Sequence, residues 1–292
     1  MSQQRNSESL LGGYRVLDLA DEKGLLCGRI LAGWGADVIK VERPGGDPAR
    51  DIGPFYKDIP HPEKSLFWFA LNADKRGVTL NIETADGRDI FRRLVKAADF
   101  VIESFPPGYM ESLGLGYSEL EGVNPRIIMT SITPFGQTGP YAHFKATDMT
   151  VWALGGMMYL CGDADRPPVQ LSVPQAYFHG SIHAAMGSMV ALYHREVTGE
   201  GQQVDVSIQE AVDFANMVED EGYDLLKVNL TRTGPFYAQA RPGGMGILPS
   251  KVNYECKDSY VNALIRGGGA GYKTSARAAT RWLKEEGMAG YL

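Results

Sequence analysis

YRVLDLADEKGLLCGRILAGWGADVIKV, residues 14–41, sets the fold. Its ends, YRVLDL (14–19) and ADVIKV (36–41), are short apolar, β-branched runs separated by a helix-length segment that stops at Gly35. That order predicts a βαβ unit. It recurs downstream, with a strand over 77–82, an amphipathic helix over 84–98 with Thr84 as N-cap, and a strand over 99–103. Ser118 and Glu121 have capping-box spacing before a short helix, and RIIMTSI (126–132) supplies another strand.

Strands alternating with helices imply an α/β fold built on a doubly wound, Rossmann-like parallel sheet. The GQTGP cluster (136–140) interrupts the alternation and is expected beyond a strand end, where open α/β sheets place ligands, as the rim of a site. QAYFHGSIHAAMGSMVALYHREVTGEGQQVDVS (175–207) reads as an Ala-, Gly- and Met-rich helix packed closely on its neighbours, a Thr-Gly-Glu-Gly turn, and a strand. Beyond Thr231 the composition shifts to Gly and Pro, followed by a strand-like stretch (251–263) and a helix containing Trp282. The expected division is a loose N-terminal tail over 1–13, a large α/β domain over 14–217, and a linker with a partial small domain over 218–292.

At 292 residues and 44% hydrophobic, the chain can bury a sizeable core, and its length suggests about two domains. A formal net charge of −6 argues against a nucleic-acid partner, which requires clustered cations. Cys27, Cys161 and Cys256 are odd in number, far apart and free of CxxC spacing, so neither a disulfide framework nor a zinc site is signalled. A reducing cytoplasm fits that usage. The first 13 residues carry no long apolar run, so neither a signal peptide nor a membrane anchor is read there.

Several stretches together resemble the class III CoA-transferases, the family of the formyl-CoA and carnitine CoA-transferases and the α-methylacyl-CoA racemases. They are VLDL (16–19), GADVIKVERPGGDPAR (35–50), NADKRGVTLNI (72–82), ADFVIESFPPG (98–108), NPRIIMTSITPFGQTGP (124–140) and the helix-turn-strand at 175–207. Chains of this family continue through a smaller domain and back onto the large one, and pair as interlocked rings. The resemblance implies that this chain ends inside the small domain, as a fragment or a shortened relative.

In the family a carboxylate near the start of the Ala/Gly-rich helix attacks the donor thioester, giving a mixed anhydride and then an enzyme-bound thioester. Gap-free counting back from Ala191-Leu192 puts that position on Tyr177 in the transferase spacing and on Ala176 in the racemase spacing. Neither is an acid. A phenol with a pKa of about 10 is protonated at neutral pH, and Tyr177 is read as filling the space of the reacting carboxylate. The racemases also need a histidine where this chain has Thr147, so a racemase is not expected.

The resemblance implies CoA contacts at Arg43, Leu80, Phe105 and Lys145. Against them, Ser104 replaces an Asn, Ser112 replaces an Arg, and Lys23-Gly24-Leu25 replaces Ala-Gly-Pro. Losing a guanidinium that grips phosphate weakens binding, so a CoA thioester is implied as a substrate held weakly or not at all, with no permanently bound cofactor. Arg43 and Lys145 keep a second reading as surface ion-pair residues. His179 and His183, one helical turn apart, could face a metal, but no HExxH pattern completes them and a structural role is preferred. Asp148 reads as an N-cap, with a displaced nucleophile as the alternative. Gly243, Gly244 and Gly246 match either the family's mobile glycine loop or a plain linker.

YHREVTGEGQQVDVSIQEAV (193–212) and DEKG (21–24) are similar to the succinyl-CoA:benzylsuccinate CoA-transferases of anaerobic toluene breakdown, in which one of two related subunits lacks the nucleophile. The expectation is therefore a non-catalytic subunit paired with a homologous, aspartate-bearing subunit. A CoA-binding or scaffold protein, and a stand-alone acyl-CoA enzyme using another residue, are the alternatives.

Overall fold

The computed structural model describes residues 9–216, 223–224, 227, 229–234, 236–240, 247–262 and 270–287. The chain divides into two compact units, Met1–Met157 with Leu171–Ala215, and Met158–Gln170 with Asn216–Leu292.

The first unit is organised on six strands: β1 (Arg15–Asp18), β2 (Asp37–Glu42), β3 (Arg76–Thr79), β4 (Phe100–Glu103), β5 (Ile128–Thr133) and β6 (Gln203–Ser207). All neighbouring pairs are parallel, in the order β3-β2-β1-β4-β5-β6. The expected doubly wound sheet is therefore present, and its strand order reverses between β1 and β4, where such sheets open a crevice at their carboxyl ends. Every residue of β4 and β5 is buried, so neither strand alternates between a core face and a solvent face.

The helices of this unit are α1 (Leu25–Gly33), α2 (Leu66–Asn72), α3 (Ala85–Val95), α4 (Tyr109–Ser112), α5 (Tyr117–Val123), α6 (Asp148–Leu154), α8 (Gln175–Thr198) and α9 (Ile208–Ala215). The short α7 (Met157–Leu160) follows α6 in the chain. Helix α3 starts as expected, the Thr84 hydroxyl accepting the Gly87 N–H at 3.1 Å. On one face of the sheet Leu17, Val101 and Met129 pack with Phe91 of α3 and Leu120 of α5 into the main core. Helix α8 packs against α1, β5, β6 and α9. Its glycines permit the approach: a Cβ on Gly180 would lie 2.7 Å from Ile208 Cγ1, and one on Gly187 would lie 2.8 Å from Val204 Cγ1. Arg195, 1% exposed, ties the end of α8 to the sheet through Arg126 O at 3.1 Å and Asp99 Oδ1 at 3.2 Å.

Three local expectations are corrected. Within the tail expected over 1–13, Leu11 is buried and donates its N–H to Trp34 O at 2.9 Å, so this part is packed rather than loose. Ser118 and Glu121 form no capping box, because α5 begins two residues earlier than that box requires, at Tyr117 with Gly116 as N-cap and no side-chain cap bond. The strand after the Thr-Gly-Glu-Gly turn, expected over 204–208, is β6 and ends at Ser207, and Ile208 starts α9.

In the second unit β7 (Phe236–Ala240) pairs antiparallel with β8 (Ile247–Lys251), and β9 (Asn253–Glu255) pairs antiparallel with β10 (Tyr260–Asn262). Helix α10 (Ala270–Glu285) carries Trp282. Arg232 Nη1 donates to Tyr159 O at 2.8 Å and Gly234 N–H to Gly162 O at 3.0 Å, joining the two stretches of this unit. Gly243, Gly244 and Gly246 lie outside the described residues.

Candidate functional site

A cavity of about 420 Å³ opens at the carboxyl ends of β1 to β4, lined among others by Leu19, Val41, Arg43, Leu80, Phe105 and Tyr109. Its residues come from successive strand ends, so the parallel order of β3, β2, β1 and β4 is what brings Leu80, Arg43, Leu19 and Phe105 together. The turn after β2 is fixed by charge. Glu42 accepts from Arg50 Nε at 2.6 Å and Nη2 at 2.9 Å, and from the Asp47 N–H at 3.1 Å. Burial pushes the Glu42 carboxyl up, but the Arg50 hydrogen bonds and the Asp47 N–H pull it down further, so it stays below the usual carboxylate range.

That pairing uses Arg50 and leaves Arg43 at the cavity. Arg43 Nε donates to Gly46 O at 3.3 Å, and among the described residues its guanidinium forms no ion pair with a carboxylate. The surface salt-bridge reading of Arg43 thus has no partner there. The opposite wall is aromatic, with the Phe105 and Tyr109 rings 4.7 Å apart and inclined by 36°. The Tyr109 hydroxyl donates to Glu83 Oε1 at 3.0 Å, and Glu83 also lines the cavity.

Of the four expected CoA contacts, Arg43, Leu80 and Phe105 share this cavity and Lys145 does not. Lys145 is exposed in the loop before α6. Nor does the 136–140 loop belong to the lining: it follows β5, and the Gln137 N–H donates to both carboxylate oxygens of Asp205 on β6, at 3.0 and 2.9 Å. Tyr109 and Glu83 were not singled out from the sequence. The signal for Tyr109 was its place four residues beyond Phe105 at the start of a helix.

Ala176 and Tyr177, on which the counting from Ala191-Leu192 falls, lie at the start of α8. Ala176 is fully buried and Tyr177 is 8% exposed. The Tyr177 N–H donates to Asp148 Oδ1 at 3.0 Å. This corrects the expected role of Asp148: Thr147 caps α6, its hydroxyl accepting the Thr150 N–H, while Asp148 caps the first turn of α8, where Pro174 offers no side-chain acceptor. Burial, then the carboxylates of Glu22, Asp148 and Asp21, push the Tyr177 phenol above its ordinary range. Glu22 is itself raised, by burial and then by Asp21. The phenol is therefore neutral at any physiological pH.

The departures around this point satisfy one another. The Ser104 hydroxyl accepts the Asp21 N–H at 2.9 Å and donates to Asp21 Oδ1 at 2.7 Å. Lys23 pairs with Asp21, and the Ser181 hydroxyl of α8 donates to Lys23 O at 3.1 Å. Ser112 turns away, its hydroxyl donating to Tyr109 O at 2.7 Å.

His179 lies against Trp152, with centroids 5.8 Å apart, and His183 against Phe214, at 5.2 Å. Burial lowers both imidazoles, and no group of three potential metal ligands occurs among the described residues. No helix among the described residues is long and apolar enough to cross a membrane.

Comparison with known proteins bears on this arrangement. The chain is 38% identical over 275 residues to the succinyl-CoA:(R)-benzylsuccinate CoA-transferase subunit BbsE of Thauera aromatica, covering 94% of this chain and 64% of that one. It is 40% identical to the succinyl-CoA–D-citramalate CoA-transferase of Chloroflexus aurantiacus, covering 73% of this chain and 52% of the relative. A crystal structure of a CAIB/BAIF family protein from Brucella suis superposes with a TM-score of 0.77 at 32% identity, covering 96% of this chain and 70% of that one. The chain thus spans about half to two thirds of the length of these curated relatives. The profile of CoA-transferase family III matches residues 11–279, and with these similarities the chain belongs to that family.

Proposed function

We propose that this chain is a non-catalytic subunit of a heteromeric class III CoA-transferase that moves CoA from an acyl-CoA, succinyl-CoA in the first instance, to a carboxylic acid such as benzylsuccinate. A homologous partner supplies the working aspartate. The observation that supports this reading is Tyr177: a buried phenol, its pKa raised, occupies the position to which the sequence spacing assigns the family's carboxylate. The transfer requires a carboxylate oxygen to attack the thioester carbonyl and expel the CoA thiolate, and the resulting anhydride must then be cleaved by that thiolate. A phenol held in the protonated state offers no such nucleophile.

Two further features support the assembly. The relative from Thauera aromatica is named as a subunit. On α8, Ile182, Met186, Val190, Tyr193 and Val197 recur at helical spacing and are 50–74% exposed, an apolar seam of the kind a partner helix covers. A reducing cytoplasmic setting is part of the proposal and fits Cys27, Cys161 and Cys256, which form no disulfide among the described residues.

The 420 Å³ cavity fits the nucleotide portion of a CoA thioester: a cation at Arg43 for phosphate, an aromatic wall for a planar ring, and apolar side chains between them. Arg43→Ala is expected to weaken CoA binding about tenfold, the loss of one charge-assisted phosphate contact. Calorimetric titration of CoA into both proteins checks it, and equal affinities would place CoA elsewhere.

The deciding experiment is purification of the tagged chain from its native source, with mass spectrometry of co-purifying proteins and a transferase assay on the complex and on the chain alone. An aspartate-bearing homologue with activity confined to the complex is the expected result. A homo-oligomer without turnover would favour a CoA-binding or scaffold role, and turnover by the chain alone would favour an enzyme using another residue.

A further inference from the structure

Strand β4 ends on Glu103, a carboxyl group 3% exposed at the point where the strand order reverses. Glu103 Oε2 accepts the Phe105 N–H at 2.7 Å. Phe105 in turn stacks on Tyr109, and both rings line the cavity. A continuous connection therefore runs from a buried carboxyl group, through one backbone amide, to the aromatic wall.

We propose that Glu103 is a positioning residue for this cavity: by accepting the Phe105 N–H, its carboxylate sets the Phe105–Tyr109 wall against which the nucleotide of a CoA thioester lies. This deepens the CoA reading of the cavity and rests on it for the ligand, but not for the link to Phe105.

The surroundings of Glu103 make the link sensitive to pH. Burial is the largest influence and drives the carboxyl up, to about 7. The Phe105 N–H opposes that rise. Glu111 on α4 adds to it, and Lys23 in the loop after β1 opposes it. The hydroxyl of Ser131, the register partner of Glu103 on β5, opposes the rise more than the Phe105 N–H does, although its geometry falls short of an ordinary hydrogen bond. Above pH 7 the charged carboxylate holds the Phe105 N–H, and below it the neutral acid holds it less strongly, since charge-assisted bonds are roughly twice as strong as neutral ones. Global stability responds in the opposite sense. A carboxyl whose folded pKa lies above its unfolded value adds stability below the unfolded value and loses it as pH rises towards 7.

The test compares wild type with Glu103→Gln, which keeps a neutral acceptor and the side-chain shape. The first readout is amide hydrogen exchange at Phe105 between pH 6 and 8.5, without ligand and corrected for intrinsic exchange. Protection should rise about three- to tenfold through pH 7 in wild type and stay flat in the variant. The second readout is the affinity for CoA, which should improve through the same range in wild type alone. An identical pH response of Phe105 in the two proteins would overturn the proposal. If CoA binds neither protein at any pH, the CoA reading of the cavity fails, and the exchange measurement still decides the role of Glu103. Glu103→Ala adds a control: unchanged Phe105 protection in that folded variant would also overturn it.

Discussion

Asp18→Ala is expected to cost about 3–5 kcal/mol of stability, the usual loss when one partner of a buried ion pair is removed. Asp18 and Lys75 are 0% and 1% exposed at their side chains and 2.7 Å apart. Each is held by a second bond, Asp18 Oδ1 from the Ala20 N–H at 3.0 Å and Lys75 Nζ to Leu25 O at 2.8 Å. Helix α1 closes over them so tightly that a Cβ on Gly28 would lie 2.2 Å from Asp18 Oδ2. Burial already pulls the Lys75 ammonium below its ordinary range, against the attraction of Asp18. Without Asp18 the desolvation is unopposed and the pKa falls further. Between the lowered folded pKa and the ordinary value near 10.4, the unfolded chain binds more protons than the folded one, so the defect should shrink as pH rises through that window. Urea unfolding of both proteins at pH 7 and pH 9 measures this. A loss under about 1 kcal/mol at pH 7 would mean that the pair is effectively solvated. Pairing Asp18→Leu with Lys75→Met should recover much of the loss, because no charge is then left without its partner.

This pair also marks how far the sequence could be read. The strands were legible because burial on both faces writes β1, β2, β4 and β5 as apolar runs, and Gly35 and Thr84 marked helix boundaries by their chemistry. The charges inside the strands were not. Asp18 and Lys40 look like interruptions of apolar runs, and their partners, Lys75 and Asp47, are set by packing rather than spacing. Local rules failed where a neighbour competed. Thr147 took the cap of α6, which freed Asp148 to serve α8, and Gly116 started α5 too early for Ser118 to act as a cap. At the cavity, Arg43, Leu80 and Phe105 could be named from the resemblance because they follow recognisable strands. Lys145 was named with them but lies outside the lining, in a long loop whose path no pattern fixes. Glu103 was visible only as the last letter of a strand; its burial and its bond to Phe105 are tertiary facts.

Tyr177→Asp is expected to give no transferase activity in the isolated chain, although it puts an aspartate at the position to which the sequence spacing assigns the family's carboxylate. An attacking carboxylate must be ionised and free to approach the thioester. At this point the new group would meet the carboxylates of Glu22, Asp148 and Asp21, which already raise the phenol it replaces, and burial would raise it further. The first turn of α8 favours a negative charge, but by only about 0.3–1 kcal/mol, and Asp148 already accepts the Tyr177 N–H there. Burial and the three carboxylates each oppose ionisation of the new aspartate. The substitution also removes a ring that is 8% exposed, and truncating a buried aromatic typically costs about 3–5 kcal/mol. Ala176→Asp should fare worse, since Ala176 is fully buried and offers no space. The contrasting variant is Tyr177→Phe, which keeps the ring and removes the hydroxyl. If Tyr177 fills space, the Phe variant should leave the activity of the assembled complex within about twofold of wild type and cost under about 1.5 kcal/mol. Assays with succinyl-CoA and benzylsuccinate, run on each variant alone and with its partner, read both expectations beside urea midpoints. Activity from Tyr177→Asp alone would mean that this chain binds CoA productively and lacks only the carboxylate. A collapse of complex activity in Tyr177→Phe, with stability intact, would move the phenol from filler to participant.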